Sequence, residues 1–496
     1  MTAHSGRIAA QSSQDEIGFG PSEPTTSSAA VSGTDDDVGF GTSNTASSSA
    51  SSPPPTEPFP LRLHATLRTQ GALRTKTAEP SRFAKLRQVV DAKAEFTPSL
   101  GAGLRLQMVA SVHSEADYAY LRNATRYDST TMETMAWQVR PDPTFIKLSL
   151  SAFEISYGYQ IANLGQAEML SVLDVVNPRD VREPMPTDTN VTHLPVLMTH
   201  LGLALSRVRL EAVVVHEPYF GMLPPPLGEF SPFRQLLLDD ASIGGALSEH
   251  ALRNVHIPRR DITNVGAIQP YGKISVSVGA LDLTLVGGST LDRMGYPILP
   301  KAAAFELPVI DMPIVHSRYW FVGHGGSLTV GPLLLRWELA FNRERPIAVR
   351  QTSGQLLSMM GLRRDQLQGM FGFMYMPSTV TSAALELSQT YIVNSPNRAP
   401  ASSVQTLFPM EAPQIAVRFN QRFFDERASF SVIGLLIGVS PWNACSARLE
   451  LGYAISDRIE LTAGYVLYAP SQRFGYLYGL TQHDRAFVNL RWEADD

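Results

Sequence analysis

The side chains best placed to do chemistry in this 496-residue chain fall in one short run, NPRDVRE, where Asn177 and a proline are followed by Arg179, Asp180, Arg182 and Glu183, alternating in sign. Asn and Asp can each hydrogen-bond their own downstream backbone, and Pro178 fixes a turn. The run therefore suits ion pairing and loop shaping rather than bond breaking. Signals for covalent or metal chemistry are missing from the sequence: eleven histidines form no HExxH, and there is no GxSxG elbow and no GxxxxGK[ST] phosphate cradle. His316 stands beside Ser317, but neighbours on a strand face opposite ways and form no relay. The single cysteine, Cys445, has no partner for a disulfide or a metal cluster. No catalytic residue, metal or cofactor is expected.

The elements that must position these side chains are strands. In PLRLHATLR, Leu61, Leu63, Ala65 and Leu67 oppose Arg62, His64, Thr66 and Arg68; KISVSVGALDLTLVGG, from Lys273, repeats the alternation on both sides of a tight break. The same period of two returns in RVRLEAVVV, PLLLRWELAF, ARLELGYA and RAFVNLRW, and no comparable stretch shows a helical period. About eighteen strands are expected, from 60–71 to 484–493, with sixteen as the alternative if a pair is merged. Residues 1–57, rich in Ser, Thr, Gly and Asp and ending in SSPPPTEP, read as a disordered periplasmic tail; 58–496 reads as one barrel. Within the tail DEIGFG recurs as DDVGFG, which suits either docking to a partner or chance repetition in a biased linker.

The connections alternate in length. Tight ones are expected at 97–101, 151–153, 205–207, 277–279, at GHGGS (323–327), and at 377–379, 425–427 and 454–458; long ones at 163–194, 217–263, 290–304, 344–364, 395–412 and 469–483. In an up-and-down sheet this puts every tight turn at one end, as in transmembrane β-barrels, and an even strand count puts both termini there too.

Charged residues make up 18% of the chain against a typical ~25%, hydrophobic ones 44%, and no window holds the ~18 consecutive apolar residues of a spanning helix. A net charge of −5 without a basic cluster gives no footprint for nucleic acid. One strand face is almost purely apolar, with aromatics (Trp337, Phe341, Tyr453, Tyr465, Trp492) placed for an interfacial girdle. The other carries both charges: Arg209 and Glu211, Arg336 and Glu338, Arg448 and Glu450, Glu460, Arg491. A ring of about eighteen strands encloses an aqueous lumen that can hold such charges in pairs. The apolar face is expected to touch outer-membrane lipid, and Met370, Met374 and Met376 to line the lumen or pack on an inserted loop. In that lumen Arg179, Asp180, Arg182 and Glu183 act either as a plug or constriction, paired with wall residues such as Gln160, or, with Asn177, as a clasp without solute contact.

The stretch ISYGYQIANLGQAEMLSVLDVVNPRDVREP, from Ile155, resembles the signature of an uncharacterised bacterial outer-membrane β-barrel family, through Gly158, Gln160, Gly165, Asp174, Asn177, Pro178 and Asp180; Tyr159 and Leu164 depart from it. HEPYFGMLPPPLGEFSPF, from His216, resembles the segment that follows. The resemblance implies export or surface delivery of hydrophobic molecules, alongside a resistance-nodulation-type inner-membrane transporter and a periplasmic lipid-carrier-like lipoprotein. The first residues lack the apolar region of a secretory signal; RIAAQSS as the tail of a signal lying upstream, another route, and a non-exported protein are the alternatives. The function expected is a monomeric outer-membrane channel or delivery component for a small hydrophobic solute, and not an enzyme. Its competitors are a lipid-acting barrel enzyme and a sheath around a periplasmic partner.

Overall fold

The computed structural model describes residues 60–495 except 78–80, 99, 102, 185–191, 226–227, 232–254, 257–267, 299–309, 312, 354–355, 399–403, 439–443 and 470–474. The tail and its DEIGFG and DDVGFG copies lie outside the described residues. From Leu61 the chain forms an antiparallel sheet that returns on itself as a closed barrel of eighteen strands. These are β1 (Leu61–Arg74), β2 (Phe83–Phe96), β3 (Leu104–Asp117), β4 (Trp137–Pro141 with Thr144–Leu150), β5 (Phe153–Gln160) and β6 (Val196–Leu205). Then come β7 (Val208–Val215), β8 (Gln269–Val278), β9 (Leu281–Leu291), β10 (Arg318–Val330), β11 (Leu333–Ser353) and β12 (Leu356–Ser378). The last six are β13 (Thr381–Ile392), β14 (Gln414–Phe423), β15 (Ala428–Ile437), β16 (Ala444–Ser456), β17 (Ile459–Ala469) and β18 (Arg485–Asp495). Each strand pairs with its sequence neighbours, and β18 closes on β1 from His64↔Asp495 to Arg74↔Arg485. Closure leaves no free edge, the condition for a sheet to stand in hydrocarbon.

Tight turns gather at one end. Ser151, Ser206, Gly279 and Gly331 each adopt a left-handed φ there, which lets the chain reverse in two residues. The other end carries the long connections, including two short helices between β3 and β4, α1 (Tyr118–Leu121) and α2 (Ser129–Met135), N-capped by Asp117 and Asp128. Outward positions are apolar all round: Leu67, Val90, Ile146, Leu285, Leu339, Leu387, Leu451 and Val488 are exposed. Aromatics sit toward the ends, with Trp320 and Tyr391 near the loops and Tyr453 and Trp492 near the turns. Such an apolar surface on every face is far larger than a soluble monomer exposes, so lipid covers it.

Three expectations about the chain path are corrected. GHGGS is not a turn: residues 323–327 lie inside β10, and the reversal comes at Gly331–Pro332, so the strands expected at 306–322 and 327–343 are displaced toward the carboxyl end. Its glycines serve packing instead. A Cβ on Gly323 would come within 2.1 Å of Leu173, and one on Gly326 within 2.3 Å of Trp337, whose ring lies over that glycine. Residues 344–364 are not an open loop either, because β11 and β12 stay paired to Ser353↔Leu356, with a bulge between Asn342 and Arg345. The strand expected at 134–150 begins as helix α2 and is interrupted between its two segments.

Candidate functional site

The connection between β5 and β6 folds back into the barrel. Its first lobe, 161–176, is apolar: Leu164, Val172, Leu173 and Val176 are buried in one cluster with the inward-facing Met198, Val213, Val215, Tyr271, Phe321 and Met370 of the wall. Met370 thus packs on the inserted loop, whereas Met376 is exposed at the turn end. Leu173, wholly buried, presses on the bare backbone of Gly323 and Gly325.

Two wall carboxylates hold this lobe. Glu338 on β11 and Glu386 on β13 point inward and are almost fully buried, yet neither has a described cation as an ion-pair partner; their partners are loop amides. Glu338 Oε1 accepts from Gln166 N and, at 2.7 Å, from Ala167 N; its Oε2 accepts from Ser171 Oγ at 2.9 Å, Val172 N at 2.7 Å and Leu173 N at 3.1 Å. Glu386 accepts from Glu168 N at 2.7 Å, Met169 N at 2.9 Å and Leu170 N at 2.7 Å. A buried carboxylate is tolerated when several N–H groups replace its water. Gly165 has room for no side chain, since a Cβ there would meet Ser171 Oγ at 2.1 Å and Glu338 at 2.8 Å. Glu168 closes the lobe on Arg418 of β14, with Arg336 at 3.7 Å.

Asn177 joins the two lobes. Its Nδ2 donates to Gln160 O at 3.1 Å and Leu194 O at 2.9 Å, and its Oδ1 accepts from Ala162 N at 2.8 Å, so one side chain ties both feet of the loop together. The Gln160 side chain does not meet the charged run; it accepts from Ser156 Oγ at 2.5 Å and donates to Met198 O at 3.2 Å. Arg179 pairs with Asp174 at 3.0 Å, and His193 bonds the same carboxylate. Burial alone would raise the Asp174 carboxyl, but the His193 imidazole and the Arg179 guanidinium outweigh it and hold the group down to about 2.

The second lobe, 177–184, crosses to the opposite wall. Arg182 is clamped between Asp180 and Glu115 of β3, at 2.6 Å each. Glu183 reaches Lys85 (2.7 Å) and Arg87 (3.0 Å) of β2 and Arg485 of β18 (3.1 Å). Burial opposes ionisation of Glu183, but these cations hold its carboxyl far below the ordinary range. Pro184 O accepts from Tyr468 Oη at 2.7 Å. A second loop repeats the device: Glu229 pairs with the buried Arg74 of β1 and accepts from Tyr127 Oη at 2.7 Å. Elsewhere the wall charges pair among themselves, as in Lys147–Glu154–Arg209 and Lys273–Glu211.

Sequence reading placed Glu338 on the lumen face and singled out Asn177, Arg179, Asp180, Arg182 and Glu183. It missed Glu386, Lys85, Arg87, Glu115, Glu168 and Arg485. For the wall residues the only signal available was an inward position on an alternating strand, which they share with every lumen residue; Glu168 lies in the loop, outside the charged run that stood out. Among the described residues no group of three or more His, Cys, Asp or Glu is arranged to hold a metal. His316 Nδ1 bonds Asp292 O at 2.7 Å and its ring stacks on Phe220.

These features define a class: a membrane-spanning antiparallel barrel whose lumen is crossed by one of its own long loops. Among solved structures the chain is similar to Salmonella typhi OmpF in complex with daunomycin, with 8% identity over 88% of this chain and 97% of that one and a TM-score of 0.42. It is also similar to Pseudomonas aeruginosa OccK2 (OpdF), at 10% identity, 88% and 98% coverage and a TM-score of 0.46, and to OccK8 (OprE) from the same organism, at 12% identity with the same coverage and score. No protein-family model and no curated protein matches the chain.

Proposed function

We infer that this protein is a bacterial outer-membrane channel or delivery component for a small hydrophobic solute, closed in the state described by the loop between β5 and β6. The observation that carries this is the oily sector of the lumen wall between β6 and β12. Met198, Val213, Val215, Tyr271, Phe321 and Met370 face inward, and among the described residues the first lobe of the loop, together with Tyr219 of the β7–β8 connection, covers them. A wall meant solely to bound water has no reason to bear that surface, and a loop meant as a permanent core would not need to be held by two ungrouped carboxylates. Lifting the lobe would open an apolar track along one side of the lumen, where a greasy solute gains roughly 25 cal/mol for each Å² it buries. The resemblance around Asn177 supports the same direction. On it rest the proposed partners, a resistance-nodulation-type transporter and a periplasmic lipid-carrier lipoprotein, with the barrel itself a monomer. Arg179, Asp180, Arg182 and Glu183 are then gating residues, and Gln160 and Asn177 their anchor.

Planar-bilayer recording, after heat-modifiable gel mobility has shown folded barrel, tests this. Wild type is expected to conduct in small, infrequent steps and the Glu338→Ala variant in larger, longer ones. Silence from both proteins would overturn the channel reading.

A further inference from the structure

Glu183 occupies a site that exceeds what one tethered carboxylate needs. Arg485 of β18 is paired across the sheet with Arg74 of β1, and Lys85 of β2 lies opposite Ala72, so Arg485, Arg74, Lys85 and Arg87 form an inward cationic band on three adjacent strands. Arg74 is taken by Glu229, and Arg87 also faces Asp117 at 3.3 Å and Glu115 at 3.4 Å. Lys85 and Arg485 have Glu183 as their one described carboxylate partner. Arg485 is buried, and among the described residues its Nη1 has no hydrogen-bond partner. Around it stand apolar and aromatic surfaces: the Phe230 ring lies 4.9 Å from the Arg485 guanidinium, and Tyr120, Tyr468 and Phe487 are buried in the same cluster.

The geometry points to a binding site for a small monocarboxylate with an apolar body, in which Glu183 is the resident stand-in. A free carboxylate can turn to accept both Arg485 N–H groups in the parallel, two-bond arrangement that guanidinium favours, which the chain-bound Glu183 does not achieve. Its apolar body would lie against Phe230. Binding displaces Glu183 and with it the second lobe, so the solute unlocks the loop that bars its way. This deepens the channel reading, and its consequence for passage rests on that reading; the site itself does not.

Chemical rescue tests it on the full-length protein in detergent. Glu183→Ala should unfold at a lower denaturant midpoint than wild type, because the half-buried Lys85 and the buried Arg485 are left without a counter-charge. Benzoate should restore that midpoint saturably, while neutral benzamide should not, and wild type should respond at least tenfold more weakly to the same benzoate concentration. The response should vanish in the Glu183→Ala, Arg485→Gln double variant. Should the alanine variant not fold, Glu183→Gln carries the same measurement. Equal responses to benzoate and benzamide, or equal responses of wild type and variant, would overturn the site. Rescue by benzoate in proteins that are all silent in bilayers would leave the site standing and sink the channel reading alone.

Discussion

The two lobes of the lumen loop are fastened to the same barrel by opposite chemistry. In the apolar lobe the wall supplies the charge, Glu338 and Glu386, and the loop supplies backbone amides. In the charged lobe Lys85, Arg87 and Arg485 come from the wall and the loop answers with the Glu183 side chain. Amides belong to every residue, so the first fastening depends mainly on loop shape and tolerates changes in loop sequence, except where Gly165 and Leu173 meet the wall and where the Ser171 and Glu168 side chains reach Glu338 and Arg418. The second depends on two loop side chains, Glu183 and Arg182, the latter held by Glu115 of β3. Substitution in the wall should therefore free the first lobe and substitution in the loop the second.

The largest effect expected is that of Glu338→Ala. It strands four backbone donors and the Ser171 hydroxyl in a buried site, where unsatisfied groups cost ~1–3 kcal/mol each. Amide exchange at 166–173 should quicken roughly 100-fold or more, a loss of about 3 kcal/mol. Exchange at 180–184 should change little, since Arg182 and Glu183 keep their partners. Equal acceleration in both lobes would mean that they move as one body, and the contrast drawn here would fall. Next in size is Asn177→Ala, which leaves two carbonyls and one N–H unpaired at the junction and should cost about 2–3 kcal/mol. Because the junction serves both lobes, this variant should speed exchange throughout 162–183, and an effect confined to one lobe would show that Asn177 is not their common hinge.

Sequence legibility follows the same division. Strand number, order and the end at which turns gather could be read because lipid on one side and a polar lumen on the other enforce a period of two. Glycine misled at 323–327, since it there makes room for Leu173 and Trp337, contacts made by residues far away in sequence. The charged lobe stood out because Asn177, Arg179, Asp180, Arg182 and Glu183 are unusual neighbours. The apolar lobe was silent: Glu338 and Glu386 bind backbone, and no residue type in 166–173 advertises an amide. Composition flags the charged side chains of the loop but not the wall residues they meet, Lys85, Arg87, Glu115 and Arg485, and it hides main-chain partners altogether.

Acid should separate the fastenings more gently than mutation. The Asp174 carboxyl, held at about 2 by His193 and Arg179 against an ordinary 3.8, is depressed in the folded state. Its contribution is thus fully present above about pH 4 and is lost as pH falls toward 2, amounting to about 2 kcal/mol at neutrality. Stability measured between pH 6 and pH 2 should decline more steeply for wild type than for Asp174→Asn. Parallel curves would show that the Asp174 cluster contributes nothing to holding the loop.

The smallest effect tests whether the charged lobe has any anchor besides charge. Tyr468→Phe removes only the hydroxyl that donates to Pro184 O at 2.7 Å, while the ring, almost fully buried, keeps its packing. Loss of one neutral hydrogen bond is worth about 1 kcal/mol. Proline fixes the direction of the chain beyond Glu183, so this bond sets the angle at which the carboxylate enters the cations. If that is its role, Tyr468→Phe combined with Glu183→Gln should cost less than the sum of the two single changes, because the hydroxyl has nothing to aim once the charge is gone. Strict additivity in that cycle would make the bond an independent tether, and the charged lobe would then share with the apolar one a fastening through its backbone.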